Sequence, residues 1–153
     1  LGWFLERADT TLRLLNVKYY ILLPEYDVVG GGRDHHQWTS LLQALSGIRA
    51  YHHSYNGDYS PWQIADFLLR NKAFPRSLAF CYTLISHHLE SLAERYGQRH
   101  DCQATINQAL HRILETEPGE IFRSGLHEFI NDAISLNARL SQEITAAYHF
   151  DGT

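Results

Sequence analysis

Apolar residues near the start of the chain recur every three or four positions, which is the spacing of one buried helix face. The positions are Phe4, Ala8, Leu12, Leu15, Tyr19 and Leu22. This pattern predicts a helix from about Gly2 to Leu23, which Pro24 ends. The stretch from Glu25 to Arg33 contains three consecutive glycines and is predicted to be a loop.

Capping and turn residues divide the middle of the chain into four further predicted helices. These begin at Asp34, Pro61, Pro75 and Asp101 and end near Ser54, Arg70, Tyr96 and Pro118. A last apolar face predicts a helix of about 30 residues, roughly 45 Å long. It consists of Phe122, Leu126, Phe129, Ala133, Leu136, Leu140, Ile144 and Ala147. Gly125 lies within this helix, where a glycine lowers helix stability by about 1 kcal/mol relative to alanine. Because such a residue needs a reason, we expect another helix to pack closely against it.

The pattern predicts an all-α fold. No segment of four to eight residues alternates between apolar and polar positions with turn residues on both sides, as a half-buried strand would. Short connections between long helices favour antiparallel neighbours. We therefore predict a single domain over residues 1–153, an antiparallel helical bundle of about six helices with a long C-terminal helix. The first, fourth and last predicted helices should form its frame.

Composition narrows the possible partners and the location. The 153 residues carry 13 Lys and Arg against 17 Asp and Glu, a formal net charge of −4. This lacks the basic excess typical of proteins that bind nucleic acid or anionic membranes, so neither is expected as a partner. The longest apolar run, Tyr19 to Leu23, is far shorter than the roughly 20 residues that span a bilayer. With no leader pattern at its start, the chain is predicted to be cytoplasmic.

Histidine and cysteine do not form a recognisable reactive site. Three of the ten histidine positions are followed directly by a second histidine, but adjacent side chains on a helix point too far apart to chelate one ion. A zinc-protease pattern fails because Asn131 stands where the second histidine would follow His127-Glu128. We therefore predict no metal and no cofactor. Cys81 and Cys102 lack close spacing and are expected to be buried thiols rather than a disulfide.

A polar stripe on the first helix is the most informative charged feature. Glu6, Asp9, Arg13 and Asn16 recur at helical spacing, and Asp9 and Arg13 are placed for an ion pair four residues apart. One interpretation is a solvated face. Another is that Glu6 and Arg13 meet His127 or Glu128 on the last helix, which would make either a structural charge network or a ligand site.

The same residues carry a family resemblance. The run from Leu1 to Tyr19, LGWFLERADTTLRLLNVKY, resembles the signature helix of the bacterial alpha-E domain family. Trp38, the segment Pro75-Arg76-Ser77-Leu78 and the segment from Gly125 to Ile130 resemble that family in the same order. Asn16 departs from it, because the family commonly has an aspartate there, and this puts a carboxylate role at that position in doubt.

The resemblance also implies a longer protein. In the alpha-E family the signature helix occurs twice in a protein of about twice this length, and this chain resembles the second copy. The sequence contains no Met and opens inside a helical pattern without a capping residue. We therefore expect further sequence upstream.

What the resemblance implies about function comes from the genes that lie beside those of the family. Alpha-E proteins are typically encoded beside circularly permuted ATP-grasp ligases and transglutaminase-like peptidases. The first hypothesis is a non-catalytic helical interaction module for such a partner; the alternative is a ligand-binding or enzymatic subunit acting on amino-acid or peptide groups. A homodimer is a third possibility. The candidate residues match family motif positions and are expected to form a polar network or ligand site, with none assigned as a catalyst: Glu6, Arg7, Asp9, Arg13, Arg76, His127 and Glu128.

Overall fold

The computed structural model describes residues 2–22, 32–55, 61–117 and 119–148. Within these ranges it contains seven helices and no strand, so the predicted all-α class is confirmed. The helices are α1 (Gly2–Leu22), α2 (Gly32–Ala44), α3 (Ile48–Tyr55), α4 (Pro61–Arg70), α5 (Leu78–Tyr96), α6 (Asp101–Glu115) and α7 (Glu120–Tyr148).

The second predicted helix is two helices, which is why there are seven and not six. Ser46 adopts a left-handed conformation with φ of 56° between α2 and α3. The amide of Ser46 donates to the carbonyl of Gln43 at 3.0 Å, and that of Gly47 donates to the carbonyl of Leu42 at 2.7 Å. These bonds close the end of α2. The apolar period continues across the break, so the sequence pattern alone concealed it.

Both ends of α5 are set by local capping. The helix begins at Leu78, not at Pro75, because the Ser77 hydroxyl oxygen accepts a hydrogen bond from the amide of Phe80 at 3.0 Å. At the other end, Gly97 is left-handed and its amide donates to the carbonyl of Ala93, as the predicted stop at this glycine requires. Arg76 therefore lies in the connection before α5 and not in its first turn.

Gly125 allows a bend in α7. It does not serve to let another helix pack closely. Its φ of 133° and ψ of 83° are non-helical. The three atoms nearest to a Cβ placed on Gly125 all belong to Glu128, the first at 2.5 Å. The close helix packing predicted at this glycine is therefore wrong; the glycine is needed because a side chain disfavours this φ.

Helix α1 packs against α2, α5 and α7. Its core residues Ala8, Leu12 and Leu15 are fully buried. The predicted frame of first, fourth and last helices corresponds to α1, α5 and α7, and α6 covers both α5 and α7. Full burial of one leucine stabilises the fold by about 1.5–3 kcal/mol, so this packing is the main source of helix stability.

Hydrogen bonds of two buried side chains, Tyr82 and Gln103, join the helices. The Tyr82 hydroxyl on α5 donates to the side-chain carbonyl of Asn137 on α7. The side-chain amide of the fully buried Gln103 on α6 donates to the carbonyl of Leu89 at 2.9 Å and to the hydroxyl of Tyr148 at 2.6 Å. Gln103 thus joins α5, α6 and α7.

Cys81 and Cys102 are buried and free, as predicted. Within the described ranges, every helix falls short of the length or the apolarity that a bilayer-spanning segment needs.

Candidate functional site

The seven residues predicted from the sequence lie in three places. Glu6, Arg7 and Arg76 border one groove. Asp9 and Arg13 pair with each other on the surface of α1. His127 and Glu128 lie on α7.

The groove beside α1, here called the α1 groove, has a volume of about 390 Å³. Its walls are Trp3, Glu6, Arg7, Thr10, Thr11, Leu14, Ala44, Leu45 and Arg76. The α1 members lie three or four residues apart, which places them on one side of the helix. Arg76, in the connection before α5, also lines the groove, and the Thr11 hydroxyl donates to its carbonyl at 2.8 Å.

Arg7 organises the aromatic end of the α1 groove. Its guanidinium lies 4.9 Å from the centre of the Trp3 ring and 5.8 Å from that of Phe4. Such cation–π contacts hold an arginine in place without a carboxylate. Trp3 is nonetheless 69% exposed, which is unusual for so large an aromatic side chain. The groove therefore exposes to solvent an indole ring in contact with Arg7, and Arg76 lines the same groove.

The thiol near Arg7 is not a nucleophile. Burial raises the pKa of the Cys81 thiol to about 11, and the positive charge of Arg7 offsets only part of that effect. Because the thiolate is the reactive form, Cys81 is protonated and unreactive near neutral pH.

The predicted ion pair between Asp9 and Arg13 is present. The Arg13 Nε donates to the Asp9 carboxylate at 2.7 Å, on a part of α1 where the Arg13 side chain is mostly exposed. Exposed pairs of this kind contribute about 0.3–0.5 kcal/mol. The pair stabilises α1 locally.

Among the described residues, Asn16 makes a polar contact between α1 and α7, whereas Glu6 and Arg13 do not. The Nδ1 atom of His127 lies 3.2 Å from the side-chain oxygen of Asn16. The Asn131 amide lies 3.0 Å from Nε2 of the same ring, an arrangement in which Nε2 accepts and Nδ1 carries the proton. In the described part of the chain, Glu6 and Arg13 form no hydrogen bond or ion pair with His127 or Glu128. The charge network considered between these helices is therefore not formed by those pairs.

Sequence reasoning missed Trp3 as a member of the site. The signal was available, because Trp3 lies four residues before Arg7, at the spacing that brings two helical side chains together. It also lies outside the apolar face that begins at Phe4. For metals, no group of three or more histidine, cysteine, aspartate or glutamate side chains converges within the described residues.

A family model, described as a predicted alpha-helical domain with a conserved ER motif, matches residues 1–149. The chain belongs to the alpha-E family. No curated protein and no solved structure matches it.

The alpha-E chain contains the dipeptide Glu-Arg twice, as Glu6-Arg7 and as Glu94-Arg95. The second pair lies exposed in the last turn of α5. The first pair borders the α1 groove. Glu6-Arg7 thus has a cavity beside it and an aromatic ring, Trp3, in contact with its arginine.

Proposed function

We propose that this alpha-E domain is a non-catalytic helical interaction module whose α1 groove docks a partner protein. The observation that carries the proposal is that the exposed Trp3 ring lies against the Arg7 guanidinium and that both residues line the groove. Tryptophan and arginine are the residues most enriched among those that dominate binding energy at protein interfaces.

Charge indicates the chemistry of the docking segment. Neither Arg7 nor Arg76 has a carboxylate partner among the residues that the structure describes, although both line the α1 groove. An acidic side chain of the partner would form charge-assisted hydrogen bonds with these guanidinium groups. An apolar side chain next to it would cover the Trp3 ring. The proposed docking segment therefore carries an acidic side chain with an apolar side chain next to it.

The proposed partner is an ATP-grasp ligase or a transglutaminase-like protein. Support for this choice comes from the gene neighbourhood that the family resemblance implies. In this proposal the domain works in the cytoplasm, as the second copy of the signature helix in a longer alpha-E protein. It contributes binding and leaves the chemistry to the partner, which agrees with the buried, protonated state of Cys81.

Co-purification of the alpha-E chain with each neighbouring gene product tests the proposal. We expect Trp3→Ala and Arg7→Glu each to weaken the association at least tenfold, about 1.4 kcal/mol. The matched control is Arg95→Glu, which makes the same charge change in the other Glu-Arg pair. Equal loss in the control, or association that survives both groove variants, would overturn the proposal.

A second candidate function is capture of a small amino-acid or peptide ligand in the same groove. Its support is that Glu6 and the two arginines place both charge signs around a cavity of about 390 Å³, within the size range of small-molecule sites. Calorimetric titration with free amino acids separates the two functions, because a docking surface for a protein would give no heat of binding.

The third possibility is a homodimer of this chain. Light scattering at several protein concentrations tests it.

A further inference from the structure

Helices α6 and α7 border a cavity of about 430 Å³, here called the α6–α7 cavity. Tyr82 of α5 also lines it and is only 1% exposed, so this ring forms part of the cavity floor. The volume falls within the range of small-molecule sites. None of the lining residues borders the α1 groove, which makes the α6–α7 cavity a separate candidate site.

Two opposite charges face the α6–α7 cavity without neutralising each other. Arg112 and Asp132 both line it, yet neither has an oppositely charged partner among the residues that the structure describes. The Arg112 guanidinium lies 5.7 Å from the centre of the Phe129 ring, a cation–π contact that uses none of its N–H donors. Each charge can therefore bind a charged group of a ligand.

Arg139 is a third charged residue of the α6–α7 cavity, and its guanidinium is only partly engaged. Its Nε lies 3.4 Å from the Glu143 carboxylate, and the side chain is 61% exposed. The two Nη atoms form no hydrogen bond with any residue in the described part of the chain. A carboxylate binds a guanidinium best through two parallel hydrogen bonds. Arg139 can therefore hold an anionic group of a ligand.

The three charges occupy different places along the cavity. Arg112 and Asp132 also line a smaller adjoining cavity of about 240 Å³, whereas Arg139 lines only the larger one. Seven residues of α7 separate Asp132 from Arg139, a rise of roughly 10 Å. Glu128 lines the smaller cavity and adds negative charge on the side of Asp132 away from Arg139. One end of the site thus suits a carboxylate next to an ammonium group, and the other end suits a second carboxylate.

The wall between these two ends is apolar. Ala133 and Leu136 line the cavity and lie between Asp132 and Arg139 on α7. The Tyr82 hydroxyl is already used, because it donates to the side chain of Asn137. Methylene groups of a ligand would therefore fit this part of the cavity better than a further polar group would.

We propose that the α6–α7 cavity binds a free α-amino acid with an acidic side chain. Its α-carboxylate bonds to Arg112 and its α-ammonium group to Asp132, which one end of the cavity allows because a single carbon atom separates those two groups. The side-chain methylene groups contact Ala133 and Leu136, and the side-chain carboxylate reaches Arg139. Two cations and one anion of the protein thus match two carboxylates and one ammonium group of the ligand.

The same charges disfavour other small ligands. A basic amino acid would place its second positive charge against Arg139, and a phosphate monoester has no group for Asp132. An amino acid with a neutral side chain would leave the Arg139 guanidinium without a new partner.

Isothermal titration calorimetry of the intact chain with three ligands tests the proposal. L-Glutamate carries every proposed group, L-glutamine replaces the side-chain carboxylate by an amide of the same shape, and glutarate lacks the ammonium group. We expect glutamate to bind about tenfold more tightly than either of the others. This preference should shrink at about 0.5 M salt. No heat of binding at about 10 mM glutamate, or equal affinity for glutamate and glutamine, would overturn the proposal.

Each charged residue has its own expected signature. Arg139→Gln should abolish the preference for glutamate over glutamine, and Asp132→Asn should abolish the preference for glutamate over glutarate. Arg112→Gln should weaken binding of all three ligands by about tenfold. Arg95→Gln removes an exposed arginine of α5 and is the matched control, which should change no affinity. Circular dichroism checks that each variant keeps its helices. Equal effects of Arg112→Gln and Arg95→Gln would overturn the assignment.

Variants of the two sites separate this inference from the proposed function. An amino acid bound in the α1 groove would also give heat. Heat that persists in Arg7→Glu and is lost in Arg112→Gln comes from the α6–α7 cavity, and the reverse result would overturn the assignment made here. Because the two sites share no residue, Arg112→Gln should leave co-purification with the protein partner unchanged. Either claim can therefore fail without the other.

Discussion

Asn16 and His127 lie 111 positions apart in the sequence and form a polar contact between α1 and α7, with 3.2 Å between the Asn16 oxygen and Nδ1 of His127. The contact is partly buried at the interface of the two helices. It joins the signature helix to the His127-Glu128 segment, the two regions from which the polar centre was predicted. The linking group is an amide, and neither Glu6 nor Arg13 takes part.

We predict that Asn16 and His127 are energetically coupled. Asn16→Ala and His127→Ala should each destabilise the fold, and the double variant should lose less than the sum by about 0.5–1.5 kcal/mol, the range of one hydrogen bond. Urea unfolding of the four proteins measures this coupling. The control is a second double-mutant cycle that combines His127→Ala with Asp9→Ala. Asp9 pairs with Arg13 and not with His127, so these two effects should add. Strict additivity in the Asn16 cycle would contradict the prediction.

Replacement of Gly125 should be costly because of its backbone and not because of a neighbouring helix. Gly125→Ala places a Cβ 2.5 Å from the Glu128 carboxylate at a φ of 133°. We expect a loss of about 1–3 kcal/mol in unfolding free energy. Gly2→Ala is the matched change at a helical glycine with open space around its Cβ position, and it should be neutral or slightly stabilising. The same loss in both variants would refute the argument from φ.

The buried amide of Gln103 should contribute more to stability than any surface glutamine. Gln103→Leu leaves the carbonyl of Leu89 and the amide of His100 without their present partner. We expect a loss of about 1–3 kcal/mol, measured by thermal or urea unfolding. Gln98→Leu makes the same chemical change at an exposed position and should shift stability by less than about 0.5 kcal/mol. A smaller loss for Gln103→Leu than for the control would show that Gln103 does not hold the three helices together.

Acid should remove a stabilising contribution of Glu90. Hydrogen bonds from Arg99 and Asn107 hold the pKa of the Glu90 carboxyl below its ordinary value. A carboxyl with a lowered folded-state pKa stabilises the fold above its unfolded pKa, about 4.3, and that contribution is lost as pH falls through the folded pKa. The stability difference between the native protein and Glu90→Gln should therefore be constant from neutral pH to about pH 5 and shrink below about pH 4.

Urea unfolding at pH 7, 5, 4 and 3 measures this difference. Since the Arg99 side chain is 60% exposed and that of Glu90 is 35% exposed, salt should reduce this difference. Glu94→Gln removes an exposed carboxylate one turn later on α5 and should give a stability profile parallel to that of the native protein across this pH range. If Glu90→Gln instead parallels the native protein, the hydrogen bonds to Glu90 do not contribute to folding.

Local chemistry accounts for the parts of the fold that were predicted correctly. The apolar period of α1 and α7 and the stop at Gly97 each depend on residues within one or two turns of one another. The Asp9–Arg13 ion pair also belongs to this class, because a spacing of four residues brings the side chains together in any α-helix. The burial of the Cys81 thiol follows from its position on the apolar face of a predicted helix.

The sequence by itself therefore determined the class of the fold, most helix positions and the contacts made within one helix, because these depend on a period of three or four residues. Only the tertiary structure decided that Ser46 separates α2 from α3, that Gly125 bends α7, that Thr11 holds Arg76 beside Glu6 and Arg7, and that Asn16 meets His127. The reason is physical. How far one helix rotates and slides against another depends on the packing of the whole core, and no short stretch of sequence contains that information.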